Sequence, residues 1–112
     1  MIETIDSLTR ISKGALMIVQ IVRFKSRMTN EEVRKMYEDR SPRYRALPGL
    51  KQKYYLHFPE TDEHGAVYVW ESEKDMEEFR KSDLRHTIPT AYQVKGNPDS
   101  QLADVVMTLR SV

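Results

Sequence analysis

Cysteine is absent from the 112 residues. That absence excludes disulfides, thiolate nucleophiles, Cys-ligated zinc and iron–sulfur clusters, and with no sign of an oxidising compartment the expected localisation is cytoplasmic. Long apolar runs are missing too. The longest, Ala15 to Val19, falls far short of the ~20 residues of a spanning helix, and Met1–Arg10 opens with acidic residues instead of a basic signal-peptide region, so no membrane partner is expected. Charge of one sign is also scarce: 18 Lys+Arg against 17 Asp+Glu leave a formal +1, far from a chain built to track phosphates.

What is present describes one globular unit. Hydrophobic residues make up 39% of the chain, including one Trp, six Tyr and three Phe, and 112 residues leave room for a single domain. A chain of this size buries roughly 65% of the surface it exposes when unfolded, enough for one core but hardly for a deep private pocket as well. Partner chains are therefore expected to supply walls.

Residues 1–14 carry no sustained period and read as an N-terminal arm, leaving 15–112 as the domain. Ala15–Phe24, rich in β-branched residues and apolar on both faces, predicts a central strand. Thr29 and Glu32 have capping-box spacing and start a helix whose buried side is Val33, Met36, Tyr37 and Arg40. Pro42 predicts a break near Arg40 and a restart, with Tyr44 and Leu47 continuing the face. Leu50–Phe58 alternates as a second strand, with Lys51, Lys53, Tyr55 and His57 on its polar side. After an acidic turn, Pro59–Gly65, comes a third strand, Ala66–Glu71, pairing with the second as a hairpin. Ser72 caps a second helix reaching Lys81, a Pro89-limited turn follows, and Gln101–Leu109 predicts the fourth strand. The order β-α-β-β-α-β is the split βαβ of an α+β, ferredoxin-like domain: a four-stranded antiparallel sheet with both helices on one face. The other face is left for a second chain, which predicts a homodimer.

Pro48–Tyr55 (PGLKQKYY), Tyr68–Ser72 (YVWES) and Ile88–Tyr92 (IPTAY) resemble the YdhR-like mono-oxygenases of the dimeric α+β barrel superfamily. The likeness spans about Ala15–Arg110, and Gly65-Ala66 stands where the family pattern has two glycines. The resemblance implies a homodimer with a cavity in each half. It also implies oxygenation of an aromatic or polyketide-like molecule without metal or flavin, or haem degradation as in some relatives. A non-catalytic barrel that sequesters a small molecule is the rival reading, since fold transfers better than activity.

His57 and Tyr55 are the candidate catalytic pair. Imidazole titrates near neutrality and can take the proton of a phenolic or enolic substrate, while Tyr55 or Lys53 meets the developing oxyanion. The alternative is a strand-end histidine bonded to backbone. Trp70 and Tyr68, with Tyr54 across the hairpin, are candidate stacking walls or plain core. His86 and Tyr92, after the second helix, are candidate ligand contacts at the cavity mouth or simply surface residues. His57, His64 and His86 lack i,i+4 pairing, so no metal site is predicted, and His64 is expected to be solvated. Arg34–Lys53 holds seven basic residues and two acidic, a gradient that would guide an anionic substrate or complement a partner chain. The aromatic signature of RNA-reading sheets is missing, so no nucleic acid is expected.

Overall fold

Ile18–Ser26 forms β1, and its β-branched run sits in the middle of the molecule because both of its edges are paired. This is a computed structural model, and it describes residues 17–110. The expected arm, residues 1–14, lies outside them. The remaining elements are α1 (Asn30–Arg45), β2 (Leu50–Phe58), β3 (Glu63–Trp70), α2 (Glu73–Arg80), α3 (Asp83–His86), α4 (Ile88–Ala91) and β4 (Val94–Asp104). The strands run antiparallel in the order β2-β3-β1-β4, giving the expected ferredoxin-like α+β fold.

Register decides which side chains meet the helices. Ile18, Gln20, Val22 and Phe24 pair with Trp70, Tyr68, Ala66 and His64. Lys53, Tyr55 and His57 pair with Tyr68, Ala66 and His64, so all of these share the helix-covered side. Past the register shift between Leu50 and Gln52, the polar-looking residues Lys53, Tyr55 and His57 therefore turn inward and Tyr54, Leu56 and Phe58 face away from the helices, while Leu50 packs on the core and Lys51 stays exposed. Tyr54 lies opposite Val67 and is 56% exposed, so it does not join Tyr68 and Trp70. The core is Ile18, Tyr44, Ala66, Tyr68, Trp70, Met76, Phe79 and Leu84, with a second cluster of Phe24, Val33 and Tyr92. On the open side, Val19, Ile21, Val67 and Val69 are only partly buried.

Four expectations are corrected. α1 runs through Pro42 without a break. The carbonyl that Pro42 leaves without its amide partner, that of Glu38, accepts instead from the Ser41 hydroxyl at 3.0 Å. The acidic turn is shorter than read, so β3 starts at Glu63 and His64, expected to be solvated, is buried. β4 lies at Val94–Asp104, earlier than predicted, and includes Pro98. That proline is tolerated because β4 is an edge strand whose register with β1 shifts between Arg23 and Lys25. The residues beyond it leave the sheet, exposing Val106, Met107 and Leu109.

Gly65 is required by close approach. A Cβ at this position would overlap the Val22 carbonyl oxygen of the neighbouring strand, and backbone cannot swing aside. Gly65→Ala is expected to destabilise the fold by about 1–3 kcal/mol in urea unfolding, as other overpacked sites do.

Candidate functional site

Between the sheet and the helices lies a cavity whose walls come from every layer of the fold. Tyr37, Arg40 and Tyr44 recur at helical spacing on the inward side of α1, and Tyr37 and Tyr44 reach the cavity. β1 contributes Gln20, β2 Lys53, β3 Tyr68, and the residue closing α4 is Tyr92. Lys53 extends inward from β2 because it stands opposite Tyr68 in the hairpin register. Its Nζ lies 3.3 Å from the ring centroid of Tyr44, 4.4 Å from that of Tyr55 and 4.6 Å from that of Tyr68. Three ring faces favour an ammonium. Burial opposes it more strongly, and with the Arg40 guanidinium nearby it lowers the Lys53 pKa from 10.5 to about 6. Among the described residues no carboxylate lies within 4.0 Å of this nitrogen.

The polar groups around Lys53 are held in place by the core. Arg40 is buried and donates from Nη2 to the Leu84 carbonyl at 2.7 Å and to Thr87 Oγ1 at 3.2 Å, while its Nε has no partner. The Tyr44 hydroxyl is likewise buried and lies beside the Tyr68 phenol. Trp70 Nε1 donates to Gln20 Oε1 at 3.1 Å, and since indole can only donate, the amide nitrogen of Gln20 is the end left for the cavity. Burial raises the phenols of Tyr37 and Tyr55 to about 12 and drives those of Tyr68 and Tyr92 well above their ordinary value. At neutral pH all four are neutral hydroxyls; that of Tyr37 donates to the Gly65 carbonyl at 3.3 Å, and those of Tyr55, Tyr68 and Tyr92 are able to donate to an oxyanion.

Size limits what enters. The enclosed volume is about 100 Å³, smaller than the roughly 150 Å³ that takes up benzene in an engineered apolar cavity. One ring edge fits, and anything larger must project past the exposed liners Pro89, Pro98 and Ser100, which mark the mouth. A more open recess of about 450 Å³ adjoins it, sharing Tyr44 and Lys53 and bounded by Arg45 and Lys51. Arg45, Lys51 and Lys53 of the basic stretch noted in the sequence thus meet on one side of the site.

Of the residues singled out from sequence, Lys53, Tyr68 and Tyr92 line the cavity, and Tyr55 stacks beside Lys53 while facing the open recess. Trp70 does not reach it: the indole is 0% exposed, packed under Tyr68 and Phe79. His57 does not reach it either. It sits at the far end of β2, where Nε2 meets Asp62 Oδ1 at 2.9 Å, and it borders a separate recess with His64 and Tyr37. That contact holds the Asp62 carboxyl below its ordinary range. His64 is shifted down by burial and by the neighbouring His57 ring, 5.2 Å away. His86 is exposed at the end of α3, and Arg85 beside it is the residue that turns to the cavity. Sequence reasoning missed Gln20, Tyr37, Arg40 and Tyr44 as site residues. The helical spacing of the last three is legible, but by itself it marks only a buried helix face. Among the described residues no group of three or more His, Asp or Glu is placed to hold a metal, and no helix is long and apolar enough to cross a membrane.

No family model matches the chain, and no curated protein matches it. Solved structures do share its fold. SnoaB, a cofactor-independent oxygenase from Streptomyces nogalater, superposes with a TM-score of 0.70 at 15% identity, covering 87% of this chain and 100% of its own. A protein of unknown function from Nitrosomonas europaea gives 0.71 at 11% identity over 88% and 98%. A dimeric ferredoxin-like protein of unknown function from Thermobifida fusca YX gives 0.66 at 12% over 81% and 92%. At such identities the likeness concerns the fold.

Proposed function

We propose that the chain is a small oxygenase-like protein that binds an aromatic or polyketide-like molecule, one ring edge inserted between β1–β3 and α1 and the rest projecting through the mouth, and works without metal or flavin. The observation that carries this reading is the ring-lined cavity with a lone amine in its wall, since pockets of this kind pair apolar lining with a few convergent polar groups. An oxygenase that uses no cofactor must deprotonate its substrate before that substrate can pass an electron to oxygen, and an apolar cavity favours the anion only where a donor meets it. Lys53, Gln20 and the Tyr hydroxyls are that donor set. The oxygenase described for SnoaB on the same fold supports the reading.

A second copy of the chain covers the open sheet side in this proposal. Val19, Ile21, Val67 and Val69 form a continuous apolar strip there, Tyr54 and Leu56 extend it, and a dimeric neighbour shares the fold. Light scattering at micromolar concentration is expected to give twice the chain mass, and a stable monomer would remove this part of the proposal.

Activity is tested by oxygen uptake over a panel of anthrols, quinols and flavonols. At least one is expected to be consumed faster than in buffer, with His57→Ala leaving the rate within about twofold because His57 lies outside the cavity. A panel with no uptake above buffer would leave the non-catalytic binding reading.

A further inference from the structure

We infer that Lys53 takes the acidic proton of the bound molecule, so that the cavity selects enols and phenols acidic enough to ionise near neutrality and holds them as conjugate anions against the Lys53 ammonium. The inference rests on the reading of this cavity as the ligand site, and it assigns to Lys53 the role that the sequence suggested for His57.

Geometry carries it. Around Lys53 stand Arg40 and Tyr44 from α1, Tyr55 on its own strand and Tyr68 from β3, and Arg85 from α3 and Tyr92 at the end of α4 line the same cavity. None is acidic. Among the described residues the site therefore holds cations and neutral phenols without a counter-charge, and the open recess beside it adds Arg45 and Lys51. An anion next to Nζ supplies the missing charge and raises the lysine's affinity for a proton, so proton and anion bind together, each strengthening the other. In net terms an O–H or enolisable C–H bond of the ligand is broken, its electron pair stays on the ligand as enolate or phenolate, and the proton forms the third N–H bond of Nζ. No oxidant or reductant takes part. The low pKa of Lys53 fits this role, because at neutral pH the amine is mostly unprotonated and free to accept. Carboxylic acids are disfavoured by the same logic: they arrive already ionised and lose full hydration on entry, whereas a phenol or enol enters neutral and separates charge only beside its partner.

The test uses the full-length protein and 4-nitrophenol, a single ring whose phenolate absorbs at longer wavelength than the phenol. At pH 6 the ionised fraction of the bound probe is expected to be at least tenfold above that of free probe, and Lys53→Met is expected to bind the probe without the phenolate band. Bound probe that stays un-ionised, or an unchanged band in Lys53→Met, overturns the role of Lys53 while leaving the cavity as a ligand site. Failure of the wild-type protein to bind saturably overturns both. Should Lys53→Met not fold, as judged by circular dichroism, the wild-type protein labelled with [13C]lysine decides. One side-chain signal is expected to titrate near pH 6 and to move upward on adding probe, and the absence of any lysine titrating below pH 8 overturns the inference.

Discussion

Lys53→Met is expected to stabilise the protein, and by more at pH 6 than at pH 9. The folded lysine has its pKa lowered from 10.5 to about 6, so between those values the unfolded chain binds a proton that the folded chain has released. Stability contributed at this site therefore rises with pH through that window and reaches its minimum below about 6, where the folded protein must carry the charge as well. Methionine fills a similar volume among Tyr44, Tyr55 and Tyr68 and titrates nowhere, so the variant loses this dependence. Discounted for the contact Lys53 keeps with solvent at the cavity wall, the gain over wild type should differ between the two pH values by on the order of 2 kcal/mol. Urea unfolding of both proteins at each pH measures it, and equal gains would mean that Lys53 is solvated in the folded state. A site that weakens its own fold in this way is one commonly kept for binding.

Trp70→Ala should be among the most damaging single changes. The indole is wholly buried, stacked on Tyr68 at 5.9 Å and 6° and tilted against Phe79 at 5.3 Å. Truncation of such a side chain costs about 3–5 kcal/mol through lost transfer energy and the space left behind. It also strips buried Gln20 of its donor. Against a total stability of about 5–15 kcal/mol, the variant should be marginal at best, with its unfolding midpoint in urea shifted far down. Trp70→Phe keeps much of the packing and loses the hydrogen bond, so it should fall between the two. A Trp70→Ala protein as stable as wild type would contradict the burial described above.

Much of the fold was legible because its signals are local. The Thr29–Glu32 capping box forms as read, with Thr29 N donating to Glu32 Oε1 at 2.8 Å and Glu32 N donating to Thr29 Oγ1 at 3.1 Å. The alternation of Leu50–Phe58 gave β2 its bounds. Alternation tells which residues share a face, however, and not which face meets the helices. Lys53, Tyr55 and His57 looked like the solvent side because one lysine and one histidine outweighed a ring, while the decision was taken by their partners on β3, Tyr68, Ala66 and His64. The site followed the same rule. Tyr68 and Tyr92 were visible as aromatics near a cavity, whereas the convergence of Arg40 and Tyr44 on Lys53 depends on how α1 lies over the sheet, a long-range fact that spacing along one helix does not contain. β4 lies earlier than predicted because Asn97-Pro98 reads as the end of a connection, and only an edge position makes Pro98 compatible with a strand.

The strand order has a consequence for how the molecule is made. β2 and β3 are neighbours in sequence and can close early, and β1 can join them as soon as Trp70 is available to pair with Ile18. The other edge of β1 waits for the last strand, whose Asp104 also pairs with Ile18. Until then the most apolar strand of the chain presents an open row of amides and carbonyls, the kind of edge through which nascent chains associate wrongly. Val94, Pro98 and Ser100, the outer wall of the cavity, arrive with that same strand. A growing chain thus acquires its ring-lined interior before its entrance, and the step that shields β1 from other chains is also the one that gives the binding site its shape.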